Sequence, residues 1–224
     1  MLWDVYVEKK FVSAKRHFEI KLSFQSDAKR LVLFGPSGAG KTQLLKMLSG
    51  LTTPDKGHIR FHQADLFNSS QGICQTPQQR ALAYVFQEYA LFPHLTVRQN
   101  VSFSLDKSWL NPRRQFTHPE VDKWLNKFQL THLSDQYPHQ LSGGQSQRVA
   151  LARALVMQPK AVLLDEPFSA LDERLRQTLR QELNEVQSLM DIPMILISHH
   201  AEDVKSFGED IIQIAHGQQV FTTD

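Results

Sequence analysis

The sequence predicts an α/β fold: a doubly wound parallel sheet, preceded by an antiparallel β part and interrupted by a helical insertion. Three observations lead there. Short apolar runs at Arg30–Phe34, 82–86, 161–164 and Met194–Ser198 have the length of buried strands. Between the last two, Leu175, Leu179, Leu183 and Val186 keep helical spacing, so strand and helix alternate as a parallel sheet requires. The first 34 residues instead alternate apolar and polar, while residues 89–140 mix aromatics and charges.

Taken in order, Leu2, Val5 and Val7, then Phe18, Ile20, Leu22 and Phe24, read as two antiparallel strands. The Arg30–Phe34 run ends at Gly35. Leu44, Leu45 and Leu48 then follow helical spacing, and Gly50 suits a helix stop. Pro54-Asp-Lys-Gly57 is turn chemistry, and residues 58–80 are expected to form an edge hairpin and loop. Within the insertion, Val121, Trp124, Leu125 and Phe128 sit at helical intervals. Ile211 to Ile214, His216-Gly217 and Val220-Phe221 suggest a closing hairpin.

Composition narrows the function classes. With 224 residues the chain can bury an ample core without staples. Lys+Arg number 25 against 23 Asp+Glu, a net +2, which gives no electrostatic footprint for nucleic acid. One cysteine, Cys74, excludes an internal disulfide and suits a reducing compartment. No apolar stretch approaches the roughly 20 residues of a membrane helix, and the start, MLWDVYVEKKF, lacks the apolar core of a signal peptide. A soluble, cytoplasmic chain is expected, with any membrane crossing left to another subunit.

Gly35-Pro-Ser-Gly-Ala-Gly-Lys-Thr42 fits G-x-x-x-x-G-K-[ST]. Gly35, Gly38 and Gly40 let backbone N–H groups turn inward around phosphate oxygens, and Pro36, Ser37 and Ala39 complete the loop. The helix that follows adds partial positive charge at its N-terminus. Lys41 is placed for the β- and γ-phosphates and Thr42 for Mg²⁺. A ligand-free strand-to-helix turn is the plain alternative, but the flanking strand and helix favour phosphate.

Val162-Leu-Leu-Asp-Glu166 is an apolar strand ending in acids, which puts carboxylates where open α/β sheets bind ligands. Asp165 could hold Mg²⁺ through a water, and Glu166 could polarise an attacking water; the alternative is a strand meeting a polar loop. Leu141-Ser-Gly-Gly-Gln145 precedes an Ala/Leu-rich helix. Ser142, Gly143, Gly144 and Gln145 form a second anion-receptive N-terminus, although by themselves they favour a simple helix cap.

These three motifs, in this order, resemble the ATP-binding cassette ATPases, and the resemblance covers nearly the whole chain. It implies a P-loop NTPase core from residues 1–88 and 156–224, with an N-terminal antiparallel β subdomain, and an inserted helical signature subdomain at 89–155. Gln87 is placed like the Q-loop glutamine that senses Mg²⁺ and the γ-phosphate. Ser169-Ala-Leu-Asp172 looks like the D-loop, and His199 like the switch histidine. Phe11 is placed like the aromatic that stacks on adenine. Each has a plainer reading: a surface glutamine, a helix cap at Asp172, a structural histidine, a core phenylalanine.

Three positions depart from the family pattern. Gln43 replaces a second hydroxyl residue, so only its backbone N–H is left for the α-phosphate. His200 stands where an acid is common, and Arg30 where a polar residue often precedes the strand.

The resemblance implies an ATP hydrolase using ATP and Mg²⁺. Lys41, Gln87, Glu166 and His199 are then catalytic, Thr42, Gln87 and Asp165 meet the metal, and residues 142–145 come from a second copy in a homodimer. Residues 72–97 are similar to the ATPase subunit of bacterial molybdate importers. Molybdate is therefore the expected solute, with sulfate, sugar or polyamine import, or a soluble non-transport ATPase, as alternatives. Implied partners are integral-membrane permease subunits and, indirectly, a periplasmic or surface solute-binding protein, at the cytoplasmic face of the plasma membrane and without nucleic acid. A groove beside Gln87 would receive the permease, with Tyr89, Leu91, Phe92 and Pro93 partly exposed in it. Such ATPases often carry a further C-terminal regulatory domain; this chain ends at Asp224, soon after the core is expected to close.

Overall fold

A computed structural model describes residues 1–13, 16–106, 111–169 and 172–220. Strands β1 (Trp3–Ser13) and β2 (Arg16–Ser26) pair antiparallel along their whole length, with Trp3 opposite Ser26. Their alternation decides the register: Trp3, Val5 and Val7 face the interior with Ile20, Leu22 and Phe24, all buried. The chain continues through β3 (Arg30–Phe34), α1 (Lys41–Ser49), β4 (Lys56–Phe61), β5 (Ala64–Asn68), β6 (Ile73–Cys74), a short α2 (Pro77–Arg80) and β7 (Leu82–Val85). Helices α3 (Val97–Ser102), α4 (Pro119–Lys127) and α5 (Gly143–Leu155) follow, with single 3₁₀ turns at Thr131–Leu133 and Pro138–Gln140. Then come β8 (Ala161–Asp165), α6 (Glu173–Met190), β9 (Met194–Ser198), α7 (Ala201–Phe207), β10 (Asp210–Ala215) and β11 (Gln218–Gln219).

The strands lie in the order β6-β5-β4-β1-β2-β11-β10-β3-β9-β8-β7. From β10 to β7 every neighbour is parallel; from β6 to β2 every neighbour is antiparallel. The β10–β11 hairpin joins the halves, pairing antiparallel within itself and parallel to β2. Its turn, His216-Gly217, has positive φ at both residues, the backbone twist a two-residue hairpin needs. Phe221, expected in this hairpin, lies outside the described residues; Val220 N–H still donates across it to Gln213 O at 2.9 Å.

Parallel strands covered on both faces explain the continuous apolar runs. Leu31, Leu33, Ile195 and Ile197 face one core, shared with β1, β2 and Leu44, Leu45 and Leu48 of α1. Val32, Leu196 and Leu164 face the other, shared with Val97, Trp124, Leu125, Phe128 and Val149 from the inserted helices. Truncating one such buried leucine to alanine costs about 2–5 kcal/mol.

Two expectations need correcting. Residues 58–80 hold more than a hairpin and loop: α2 forms there, closed by a capping box between Thr76 and Gln79 with Pro77 at its first position. It is too short for periodicity to show. Its last residue, Arg80, is 1% exposed, and one guanidinium nitrogen donates to Met47 O and Leu48 O, both at 2.7 Å, so α2 caps the C-terminus of α1. Tyr89 is buried rather than presented in a groove, because left-handed φ values at Tyr89 and Ala90 (61° and 46°) turn its ring into the helical core.

Candidate functional site

β3, β9 and β8 are neighbours, and they end together. Phe34 lies opposite Ser198, and Asp165 opposite Ile197, so Gly35, His199 and Glu166 leave the sheet at one edge. That edge is the carboxyl side of the strands, where open α/β sheets gather their chemistry.

The 35–40 loop packs tightly there. A Cβ on Gly35 would lie 2.0 Å from the carbonyl oxygen of Ile214, so only glycine fits. Ala39 N–H donates to Pro36 O at 3.2 Å, and Gly217 N–H donates to Ala39 O at 3.0 Å, which pins the loop to the closing hairpin. Gly40 precedes α1 with φ 102° and offers no side chain to cap it, and no acid sits in the first turn. The first N–H groups of α1 are thus left for an acceptor from outside the helix. Lys41 is 4% exposed, and its Nζ donates to Gly35 O at 2.7 Å and Pro36 O at 2.8 Å. Burial lowers its pKa, while the carboxylates of Glu166 and Asp165 oppose that shift.

Asp165, 3% exposed, accepts a hydrogen bond at each oxygen: Thr42 Oγ1 donates to Oδ1 and Tyr84 OH to Oδ2, both at 2.8 Å. Burial raises the Asp165 pKa, and the Tyr84 and Thr42 hydrogen bonds pull it back. Burial, with the Asp165 charge, pushes the Tyr84 phenol well above its ordinary range. Among the described residues no three His, Cys, Asp or Glu side chains are arranged to cage a metal. The Thr42 hydroxyl and Asp165 carboxylate are nevertheless two hard oxygens at a helix start, the donor type Mg²⁺ takes when phosphate and water supply the rest. Glu166 follows β8 with left-handed φ (47°), and its Oε2 lies 3.4 Å from His199 Nδ1.

Lys41, Thr42, Asp165, Glu166 and His199 therefore converge. Other expected residues stand apart. Gln87 is exposed, and among the described residues no hydrogen bond holds it. Phe11 is partly buried with its ring 6.3 Å from that of Phe18, and Phe18 in turn lies against Gly40. Ser142 caps α5: its Oγ accepts from Gln145 N–H at 3.3 Å, and the Gln145 side chain accepts from Ser142 N–H at 2.8 Å. Ser142 and Gly143 are exposed, while Gly144 is buried against Leu175 of α6. No hydrogen bond among the described residues ties residues 142–145 to the strand-edge cluster. In the 169–172 run, Ser169 Oγ donates to Glu166 O at 3.0 Å and Asp172 caps α6; residues 170 and 171 lie outside the described residues.

Sequence reading missed Tyr84 and Arg153. Tyr84 sits in an apolar strand with nothing local to mark its hydroxyl. Arg153, on α5, donates to Tyr89 O at 2.7 Å and Ala90 O at 2.8 Å, holding the turn after Gln87. Beside it an open groove of about 710 Å³ is lined by Phe86, Phe92, Phe103, Met157 and Pro159. Phe86, Phe103 and Met157 are exposed there.

Comparison with known proteins gives a consistent result. The family described as "ABC transporter" matches residues 19–169. The sulfate/thiosulfate import ATP-binding protein CysA of Thermosynechococcus vestitus is 41% identical over 212 residues, covering 95% of this chain and 60% of the relative. The protein of the same name from Pectobacterium atrosepticum is 40% identical over 213 residues, covering 94% and 62%. A probable sulfate/thiosulfate import ATP-binding protein of Chlorella vulgaris is 42% identical over 190 residues, covering 83% and 75%. The chain spans about 60% of the length of the first two of these curated relatives. Among solved structures, the dimeric post-hydrolysis state of an ATP-binding cassette bound to ADP and Pi matches with a TM-score of 0.78 at 25% identity, covering 99% of this chain and 97% of that one. cbiO1 from Clostridium perfringens, part of an ABC transporter complex, matches with a TM-score of 0.77 at 27% identity, covering 98% and 87%.

Proposed function

The chain belongs to the ABC transporter ATPase family, and from that footing we propose that it binds and hydrolyses ATP to drive import of a sulfate-type oxyanion. One observation carries the reading: the 35–42 loop, the Thr42–Asp165 pair and the Glu166–His199 pair meet at one sheet edge.

In this mechanism the loop N–H groups, with Gln43 N–H beside them, and Lys41 hold the triphosphate. The adenine ring lies on Phe11. Thr42 and Asp165, and Gln87 once brought to them, would hold Mg²⁺, which would supply charge neutralisation at the triphosphate. The Glu166 carboxylate orients water and accepts its proton as oxygen attacks the γ-phosphorus. The bond from that phosphorus to the β–γ bridging oxygen breaks, leaving ADP and phosphate. His199 steadies the γ-phosphate opposite Glu166. The remaining charge stabilisation comes from Ser142, Gly143, Gly144 and Gln145 of a second copy, so ATP closes a homodimer and hydrolysis releases it. The solved relative that is dimeric with ADP and Pi supports this arrangement.

The groove beside Phe86 and Arg153 is our proposed seat for a permease segment. Its exposed aromatics and methionine suit an apolar helix face, and Gln87 lies next to Phe86 in the chain. Among the described residues no helix is long and apolar enough to cross a membrane, which fits peripheral attachment through such a contact. For the solute, the relatives' names favour sulfate or thiosulfate over the molybdate expected from residues 72–97. The ATPase does not contact the solute, so its residues specify it only through kinship.

The test is ATP turnover in vesicles holding the chain with its permease and solute-binding protein. Stimulation by sulfate or thiosulfate and not by molybdate supports the reading. Stimulation by molybdate alone restores the earlier expectation, and no magnesium-dependent ATP turnover under any condition overturns the ATPase itself.

A further inference from the structure

Behind His199 runs a buried polar chain that the proposed hydrolysis leaves unused. Ser198, the last residue of β9, is 2% exposed; Asp203, in the first turn of α7, 1%; Arg180, on α6, 5%. Arg180 Nε donates to Asp203 Oδ1 at 2.5 Å, and Ser198 Oγ donates to Asp203 Oδ2 at 2.5 Å. The same Ser198 Oγ accepts from His200 N–H at 3.0 Å.

That last bond closes a side-chain turn with His199 as its middle residue. The hydroxyl has one proton. Asp203 takes it, so a lone pair is left facing His200 N–H. The backbone on both sides of His199 is thereby fixed to a carboxylate that cannot rotate, because Arg180 holds its other oxygen. Arg180 also reaches Glu173, the first residue of α6, at 3.4 Å, so the chain extends toward Asp172. A buried ion pair of this kind is weak evidence for stability, since apolar groups of similar shape often serve as well. Its cost is better explained by the geometry it imposes.

We propose that Ser198, Asp203 and Arg180 are positioning residues for His199, setting the imidazole against Glu166 and the γ-phosphate. The inference rests on the proposed role of His199 in ATP hydrolysis. A displacement of about 1 Å at a reacting centre can cost about 10²-fold in rate. Ser198→Ala and Asp203→Asn are therefore expected to lower the ATP turnover number about 10- to 100-fold, with ATP affinity changed less than about twofold.

The deciding measurement is a double-mutant cycle in the full chain with magnesium and ATP, read by single-turnover hydrolysis. In a His199→Ala background, Ser198→Ala and Asp203→Asn should lower the rate no further, and Ser198→Thr should retain most of the wild-type rate. Equal losses with and without His199, or a loss seated in ATP affinity, would overturn the proposal. If Asp203→Asn does not fold, Ser198→Ala removes only a hydroxyl and carries the cycle alone. A wild-type chain without ATP turnover would instead sink the ATPase reading, a distinguishable failure.

Discussion

The two halves of the proposed nucleotide site are built on opposite principles. At the strand edge, Lys41 and Asp165 are buried and their polar atoms are bound by the same chain. On α5, Ser142 and Gly143 are exposed, and the only bonds of the Ser142 side chain among the described residues close a helix cap. The first half resists rearrangement, because any buried polar group set free would lose a partner without gaining water. The second half is closed as a cap and open as a surface, which leaves it accessible to another molecule. The difference fits the proposed mechanism, in which one chain holds the cleavage groups and a second copy closes over them.

The largest expected effect breaks the strand-edge half. Glu166→Gln keeps the shape and removes the proton acceptor, so ATP turnover should fall by about 10²–10⁴ while ATP still binds. The trapped nucleotide should hold two copies together, seen by sedimentation with magnesium and ATP. Normal turnover would show that Glu166 is not the base. Next comes Lys41→Ala, expected to abolish measurable ATP binding in equilibrium titration. Unchanged affinity would remove the phosphate assignment from the loop.

A smaller effect sharpens the other half. Ser142→Ala deletes the acceptor for Gln145 N–H, which should cost about 1 kcal/mol in denaturant unfolding. ATP affinity of the single chain should not change. In the Glu166→Gln background, however, Ser142→Ala should reduce the ATP-held dimer. A stability loss with the dimer intact would leave Ser142 as a helix cap and nothing more.

The strand-edge half was also the more legible. Its loop, its acids and the His216-Gly217 turn are local: neighbours in sequence perform one task, so pattern and turn chemistry expose them. Strand order was not local, and neither was the hydroxyl of Tyr84, whose partner is 81 residues away. Arg180 and Asp203 are 23 residues apart on different helices, and neither looks unusual where it stands. Arg80 reads as one more charge in a polar stretch, yet it closes α1 from below. The cap at Ser142 was legible as a cap; its proposed place opposite a second copy came only from the family resemblance.

The smallest effect tests how the buried half tolerates its own charge. Tyr84→Phe removes one of the two hydroxyls bound to Asp165 and leaves the ring in place. That hydrogen bond lowers the Asp165 pKa against the upward push of burial, so its loss should raise the pKa further. The bond favours the charged carboxylate, so the variant should lose about 1.5–3 kcal/mol above the Asp165 pKa. Below it, where the carboxyl is protonated in both proteins, the gap should narrow. Unfolding in denaturant at neutral and at acidic pH reads the difference directly. A gap that widens toward acid would mean that the phenol supports the protonated carboxyl, and that the Thr42 bond alone holds the charge.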